Sequence, residues 1–281
     1  MERTQLIENV MSELGKAVPD NIVLEKITVT KTGDRELDGV VLRDGARPSP
    51  VFYFNDIAEE YESGKPIEAI VKEIVSFLDE SLRPDTDPDE IFTDKHLGIR
   101  LINISRNHRY LENIPHRDIN IDIAMIMDFR ASSEWVSPVN YSTYTGSDMF
   151  DTAIRNSAEI LPLEIKEVSE ISGLEKCIED QYDPDDMEKR EMIYVVSNDK
   201  GPFGAAALFY DGVMEMIRKM IGDYIAIPSS VHEWILMPNK GLDPILLKEI
   251  LLEGNEQFLS EEEVLSDYVY IYDEKGFRVL I

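Results

Sequence analysis

Apolar residues recur along this chain with two periods, and the switches between them mark out its elements. Leu6, Ile7, Val10, Met11 and Leu14 fall at helical spacing and are closed off by Gly15 and Pro19, which predicts a short amphipathic helix. Ile22, Leu24, Ile27 and Val29 lie among threonines, and Val40, Val41 and Leu42 follow the turn-like Thr32-Gly33-Asp34, so a hairpin is predicted. Val51 to Phe54 reads as a strand whose start is set by Pro48 and Pro50. Ile67, Ile70, Val71, Ile74, Val75 and Leu78 carry the strongest helical signal in the chain, separated by Gly64 and Pro66 from a shorter helix before them. A stripe of this width calls for burial of one face against a sheet.

Ile99 to Ile104 reads as a strand, and Ile119 to Phe129 as a longer one. In the latter, Ile119, Ile121, Ile123, Met125, Met127 and Phe129 alternate with Asn120, Asp122 and Asp128, which places the polar residues on the opposite face. Asn107 to Ile114 fits a short helix stopped by Pro115, Val139 to Tyr144 a polar aromatic strand, Asp148 to Ile160 a helix ended by Pro162, and Leu163 to Val168 a strand. The acidic composition of Glu179 to Glu191 predicts a surface excursion. Met192 to Pro238 has the apolar density of a buried strand, helix, strand, strand unit, with Phe209, Val213, Met216, Ile217 and Met220 on one helical face. Asp243-Pro244 opens a helix containing Leu246, Leu247, Ile250 and Leu251; Ser260 and Glu263 form a capping box; residues 267–281 close the chain as a hairpin. The tally predicts an α+β protein, with mixed, largely antiparallel sheets and packed amphipathic helices. The N-terminal region, 1–83, and the main region, 84–281, are either two parts or one continuous domain.

Composition narrows the function classes. A chain of 281 residues that is 43% hydrophobic can build a real core. With 56 acidic residues against 28 basic, the net charge is −28, which opposes direct binding to nucleic acid or to an anionic membrane. Arg106, His108, Arg109 and Arg117 are the nearest thing to a basic patch. The single cysteine, Cys177, excludes an intramolecular disulfide and a Cys-based zinc site. No apolar run reaches the roughly 18 residues of a membrane span, and no secretory signal is visible, so a cytoplasmic protein is expected. No cofactor motif occurs.

Four places invite chemistry. Ser229, Ser230, His232 and Glu233 supply a nucleophile, a base and an orienting carboxylate, the residue types of acyl-transfer catalysis. They lack a Gly-x-Ser-x-Gly elbow, and the alternative is a turn between buried strands whose hydroxyls satisfy turn amides. Asn198 to Gly204, with Lys200, Gly201 and Gly204, could cradle an anion at a helix start, although it matches no phosphate-binding pattern. His108, His116 and Asp118 are scattered candidates for a metal and fall short of a ligand set. Asp85, Asp87 and Asp89 have the spacing of a calcium loop, but Glu90 and His96 stand where glycine and glutamate belong; Asp87 capping a helix begun by Pro88 explains the same residues.

Several motifs, taken in order, resemble an uncharacterised family, a domain of unknown function found in gut clostridia and other Firmicutes. They are Pro50-Val51-Phe52-Tyr53-Phe54-Asn55 with Tyr61 to Gly64, Asn113 to Asp118, Asn156 with Leu161-Pro162, Tyr194 to Asn198 with Gly204-Ala205-Ala206, Ile227 to Glu233, and Leu265 to Tyr270. The stretch from Ile193 to Met237 is similar to a second uncharacterised Firmicute family. The resemblance implies a shared α+β core and a link to mobile elements; it carries no catalytic residue onto this chain. The expected function is that of a non-enzymatic accessory or protein-interaction protein with a protein partner. A hydrolase using Ser230, His232 and Glu233, and an acidic mimic of DNA, are the alternatives.

Overall fold

The N-terminal rhythm folds as a helix, a three-stranded sheet and two further helices. The computed structural model describes residues 2–43, 51–81, 93–131, 134–136, 147–168 and 193–281. The calcium-spaced aspartates, the strand read over 139–144, the acidic stretch 179–191 and Cys177 lie outside the described residues. Helix α1 (Arg3–Ala17) buries Leu6, Val10 and Leu14 and stops short of Pro19. Strands β1 (Val23–Lys31) and β2 (Arg35–Arg43) pair antiparallel from Val23↔Arg43 to Lys31↔Arg35, and β3 (Val51–Tyr53) pairs with β2. Phe54, expected to finish that strand, instead opens α2 (Phe54–Glu62), where its ring is buried. Helix α3 (Ile67–Ser81) was expected to lie on a sheet. It packs chiefly on α1, with α2 beside it, and shares a core with Val40 and Leu42 of β2. An apolar stripe is satisfied by the stripe of another helix as well as by a sheet, so periodicity alone does not choose between them.

The chain falls into two compact units, residues 1–92 and 93–281. In the second, β4 (Leu97–Asn103), β5 (His116–Asp118), β6 (Ile123–Ala131) and β7 (Glu134–Val136) form an antiparallel sheet centred on β6; a single helical turn, α4 (His108–Leu111), precedes β5. The long strand expected over residues 119–129 is divided. Asn120 Oδ1 accepts the amides of Asp122 (2.8 Å) and Ile123 (3.0 Å), so a side chain replaces the ladder bonds and the chain turns. Ile121 is left at the tip, 72% exposed.

Strand β6 is buried on both faces, so the alternation does not separate core from solvent. Asp128 is fully buried and accepts two hydrogen bonds from Arg100 of β4, one from Nε at 2.7 Å and one from a terminal guanidinium nitrogen. Helix α5 (Ser147–Ile160) covers the outer edge of β4. Ser157 Oγ accepts the Ile99 amide (2.8 Å), and Asn156 Nδ2 donates to the Leu97 carbonyl (3.1 Å), which blocks edge-to-edge pairing there.

The larger sheet holds β8 (Leu163–Glu167), β9 (Tyr194–Asn198), β10 (Tyr224–Ser230), β11 (Glu233–Pro238), β12 (Tyr270–Asp273) and β13 (Gly276–Val279). Their order is β13-β12-β10-β11-β9-β8, and every registered pair is antiparallel. The chain is thus an α+β protein. Between β9 and β10 run a 3₁₀ segment (Gly204–Phe209) and α6 (Val213–Ile221); α7 (Pro244–Phe258), capped by Asp243, follows β11. Strict alternation gives this sheet two different faces. One carries Trp234 and Tyr270 (ring centroids 5.7 Å apart) with Phe277 stacked on Tyr270 at 5.0 Å. The other carries Ile225, Ile227 and Met237 against Leu247 and Leu251 of α7.

Two measurements probe this architecture. Asp128→Ala, which leaves the buried Arg100 guanidinium without its carboxylate, should destabilise by about 3–5 kcal/mol, and Arg100→Met/Asp128→Leu should recover most of the loss in urea denaturation. In the C-terminal hairpin, Arg278 (2.5 and 2.7 Å) and the Lys275 amide (2.8 Å) hold the Asp273 carboxyl down at about 2. A depressed carboxylate stabilises above its ordinary pKa and loses that contribution as pH falls through the folded value. An NMR titration of Asp273 should therefore show a midpoint near 2, moving back to the ordinary carboxylate range in Arg278→Gln.

Candidate functional site

The two most suggestive stretches of the sequence, Asn198 to Gly204 and Ser229 to Glu233, meet at one corner of the large sheet. Strands β10 and β11 join through a two-residue turn, Val231-His232, next to an irregularity in register between Pro228 and Ser230. The Val231 amide donates to the Glu263 carbonyl (2.9 Å), the Ala205 amide to the Val231 carbonyl (3.3 Å), and Ser197 Oγ to the His232 carbonyl (2.9 Å). The corner is therefore tied to three separate parts of the chain.

Each candidate side chain has a partner inside this corner. Ser230 is buried, and its Oγ accepts the His232 amide at 3.0 Å. Ser229 Oγ donates to Glu233 Oε1 at 3.2 Å. His232 Nδ1 accepts the Phe203 amide at 2.9 Å, and its Nε2 stands 3.8 Å from Glu263 Oε1. A ring whose Nδ1 lone pair receives an amide carries its neutral-form proton on Nε2. Nucleophilic catalysis needs an N–H toward a carboxylate and a free lone pair toward the serine; here Nε2 faces Glu263, but the Nδ1 lone pair is taken by the Phe203 amide. In this geometry neither ring nitrogen offers Ser229 or Ser230 a place to deliver its proton. Glu263 is itself held below the usual carboxylate range by the backbone amide and then the hydroxyl of Ser260.

The anion candidate is engaged in the same way. Asn198 is buried; its Oδ1 accepts the amides of both Lys200 and Gly201 (2.8 Å each), and its Nδ2 donates to the Pro202 carbonyl (3.0 Å). The amides that could cradle an anion thus close an Asx turn, and Lys200 Nζ reaches the neighbouring Asp199 (3.1 Å). Phe203 follows in the left-handed conformation (φ 57°), which a phenylalanine seldom adopts. Its ring lies between the His232 ring (centroids 5.4 Å) and the Arg100 guanidinium (4.7 Å). Gly204 comes next, where a Cβ would stand 2.6 Å from both the Asn198 amide nitrogen and the His232 carbonyl.

The remaining candidates stay apart. His108 Nδ1 lies 3.5 Å from Glu112, and His116 Nε2 3.8 Å from Asp118. Among the described residues no three His, Cys, Asp or Glu side chains gather as a metal would require. The basic cluster is neutralised locally, since Arg106 pairs with Glu261 (3.1 Å) and Asp267 (2.9 Å), and Arg117 with Asp151 (3.3 Å). A concavity of about 380 Å³ opens in the first unit beside Thr4, Ile7, Lys26, Asp38 and Phe54. Its Asp38 is already bound by Thr28 (2.6 Å).

Among the described residues no helix is long and apolar enough to cross a membrane. Fold and corner together define an α+β protein of two units whose most chemical-looking residues fasten strands and turns to one another. The model of a family of unknown function, DUF5688, matches residues 3–274, and the chain belongs to that family. No curated protein and no solved structure matches it.

The tightness of the corner gives a test. Because backbone atoms on two sides block a Cβ at Gly204, Gly204→Ala should cost about 3 kcal/mol or more in chemical denaturation. Adding Ser197→Ala, which removes only the third close atom, should recover a minor part of that loss.

Proposed function

We propose that this chain is a non-enzymatic accessory protein that binds another protein through the solvent face of α7. One observation carries the reading. Toward its own core α7 turns Leu247, Leu251 and Asn255, whereas toward solvent it presents Ile245, Leu246, Ile250 and Leu252, which are 41–59% exposed. More aliphatic side chains face outward than inward. A helix that is apolar on both sides normally has neighbours on both sides, and contiguous exposed apolar surface marks interaction sites.

Two further points support it. Ser230, His232, Lys200 and Gly201 have their polar atoms engaged within the corner, which suits fastening more than turnover. The acidic residues of α7 alternate with aliphatic ones, which suits a protein partner better than imitation of a uniformly charged DNA backbone. A cytoplasmic setting fits the chain's single cysteine.

Leu246→Gln/Ile250→Gln alters only exposed positions and should shift folding stability by no more than about 0.5 kcal/mol per site. Quantitative affinity capture from the native lysate should yield a stoichiometric protein with the wild type and lose it with the double variant. Identical capture by both proteins, or capture of nothing by the wild type, overturns the reading.

A further inference from the structure

We infer that the partner of α7 is a basic amphipathic helix; the inference rests on the protein-binding reading above and names its chemistry. The outward surface is made of two helical rows. Leu246, Ile250, Glu253 and Gln257 form one, and Ile245, Glu249, Leu252 and Glu256 the other, all exposed. Positions spaced i, i+4, i+7 and i+11 stack along one side of a helix, so the two rows run side by side, with the aliphatic groups toward the N-terminal half and glutamates interleaved and beyond. The one cation of α7, Lys248, belongs to the other side, with its Nζ 4.7 Å over the Tyr268 ring. The outward face therefore combines four aliphatic side chains with three carboxylates and no positive charge.

Charge selects among the possible occupants. A second copy of the chain meeting this face about a twofold axis would bring the same three carboxylates, Glu249, Glu253 and Glu256, and no cation of α7 to meet them. An anionic bilayer or a nucleic acid would meet the same repulsion. A helix bearing leucine-like residues along one stripe and Lys or Arg along its flanks answers both features at once: its apolar stripe covers Leu246, Ile250, Ile245 and Leu252, and its cations face the glutamates. Helix-in-groove recognition is built from such spaced anchors. Helix α7 has 15 residues, about 22 Å at the helical rise, so it offers a seat for about four turns of partner.

The test is a fluorescence anisotropy titration of the intact protein with a synthetic Leu/Lys peptide of amphipathic helical spacing, beside its Leu/Glu counterpart. The Leu/Lys peptide should bind and become helical, and should weaken at least about tenfold between about 50 and 500 mM salt. The Leu/Glu peptide should not bind. Leu246→Gln/Ile250→Gln, which leaves the charge unchanged, should weaken the Leu/Lys peptide at least about tenfold, equivalent to about 1.4 kcal/mol. Met216→Gln/Met220→Gln, at the exposed methionines of α6, should leave it unchanged. Circular dichroism melts that match the wild type show that each variant folds.

Equal binding by the wild type and Leu246→Gln/Ile250→Gln would mean diffuse attraction to an acidic protein and would overturn the inference. So would no binding, dimerisation that the double variant abolishes, or α7-dependent binding to phosphatidylglycerol vesicles. Should any of these occur while lysate capture still depends on α7, the protein-binding reading stands and only the basic helix falls. Should lysate capture be independent of α7 as well, both fall.

Discussion

The Ser266 hydroxyl, fully buried, holds together the parts of the second unit that the sequence places far apart. It donates to Asp122 Oδ2 (2.6 Å) in the β5–β6 turn, lies 2.7 Å from the Tyr270 hydroxyl of β12, and accepts the Tyr268 amide (3.1 Å). With its one proton committed to the carboxylate, the Ser266 oxygen accepts a hydrogen bond from the Tyr270 hydroxyl, and burial keeps that phenol well above its ordinary pKa. Around this node Asn103 donates to the Leu265 carbonyl (3.2 Å), and Asn255 of α7 to the Ser266 carbonyl (3.1 Å). Buried polar groups are costly unless paired, so such a network admits essentially one relative arrangement of the two sheets and α7.

The corner at His232 works by the same rule at a second place. A left-handed Phe203, a glycine that admits no Cβ and a histidine accepting a backbone amide are each unfavourable or unusual alone. They persist because the surrounding hydrogen bonds determine them together. The stretches on which the sequence resemblance rests, Tyr194 to Asn198, Gly204 to Ala206, Ile227 to Glu233 and Leu265 to Tyr270, coincide with these two junctions. Their shared property is the fastening of elements that propensity alone would leave unregistered.

Helix α7 links scaffold and surface. Its inner side anchors the sheet through Leu251 and the polar node through Asn255, so its outer side is held on a rigid support. For the proposed protein partner, a preorganised apolar and acidic face would lose little entropy on docking.

Elements with their own rhythm were legible in the sequence: α1, the β1–β2 hairpin, α5, α7 and the closing hairpin all follow from local spacing, caps and turn residues. Departures occur where a side chain competes with the pattern. Asn120 cuts a strand that alternation would continue, and Asp128 sits inside because β6 is covered on both faces, which period-two spacing does not report. The site was half legible. Both candidate stretches stood out by composition, but the pairing of Phe203 with His232, 29 residues away, belongs to no local pattern. The sequence by itself determined which elements form and that the chain is strongly acidic. Tertiary structure alone decided that the His232 lone pair is occupied, that Arg100 is matched to Asp128, and that α7 turns its aliphatic majority outward, because each depends on what long-range packing places opposite a residue.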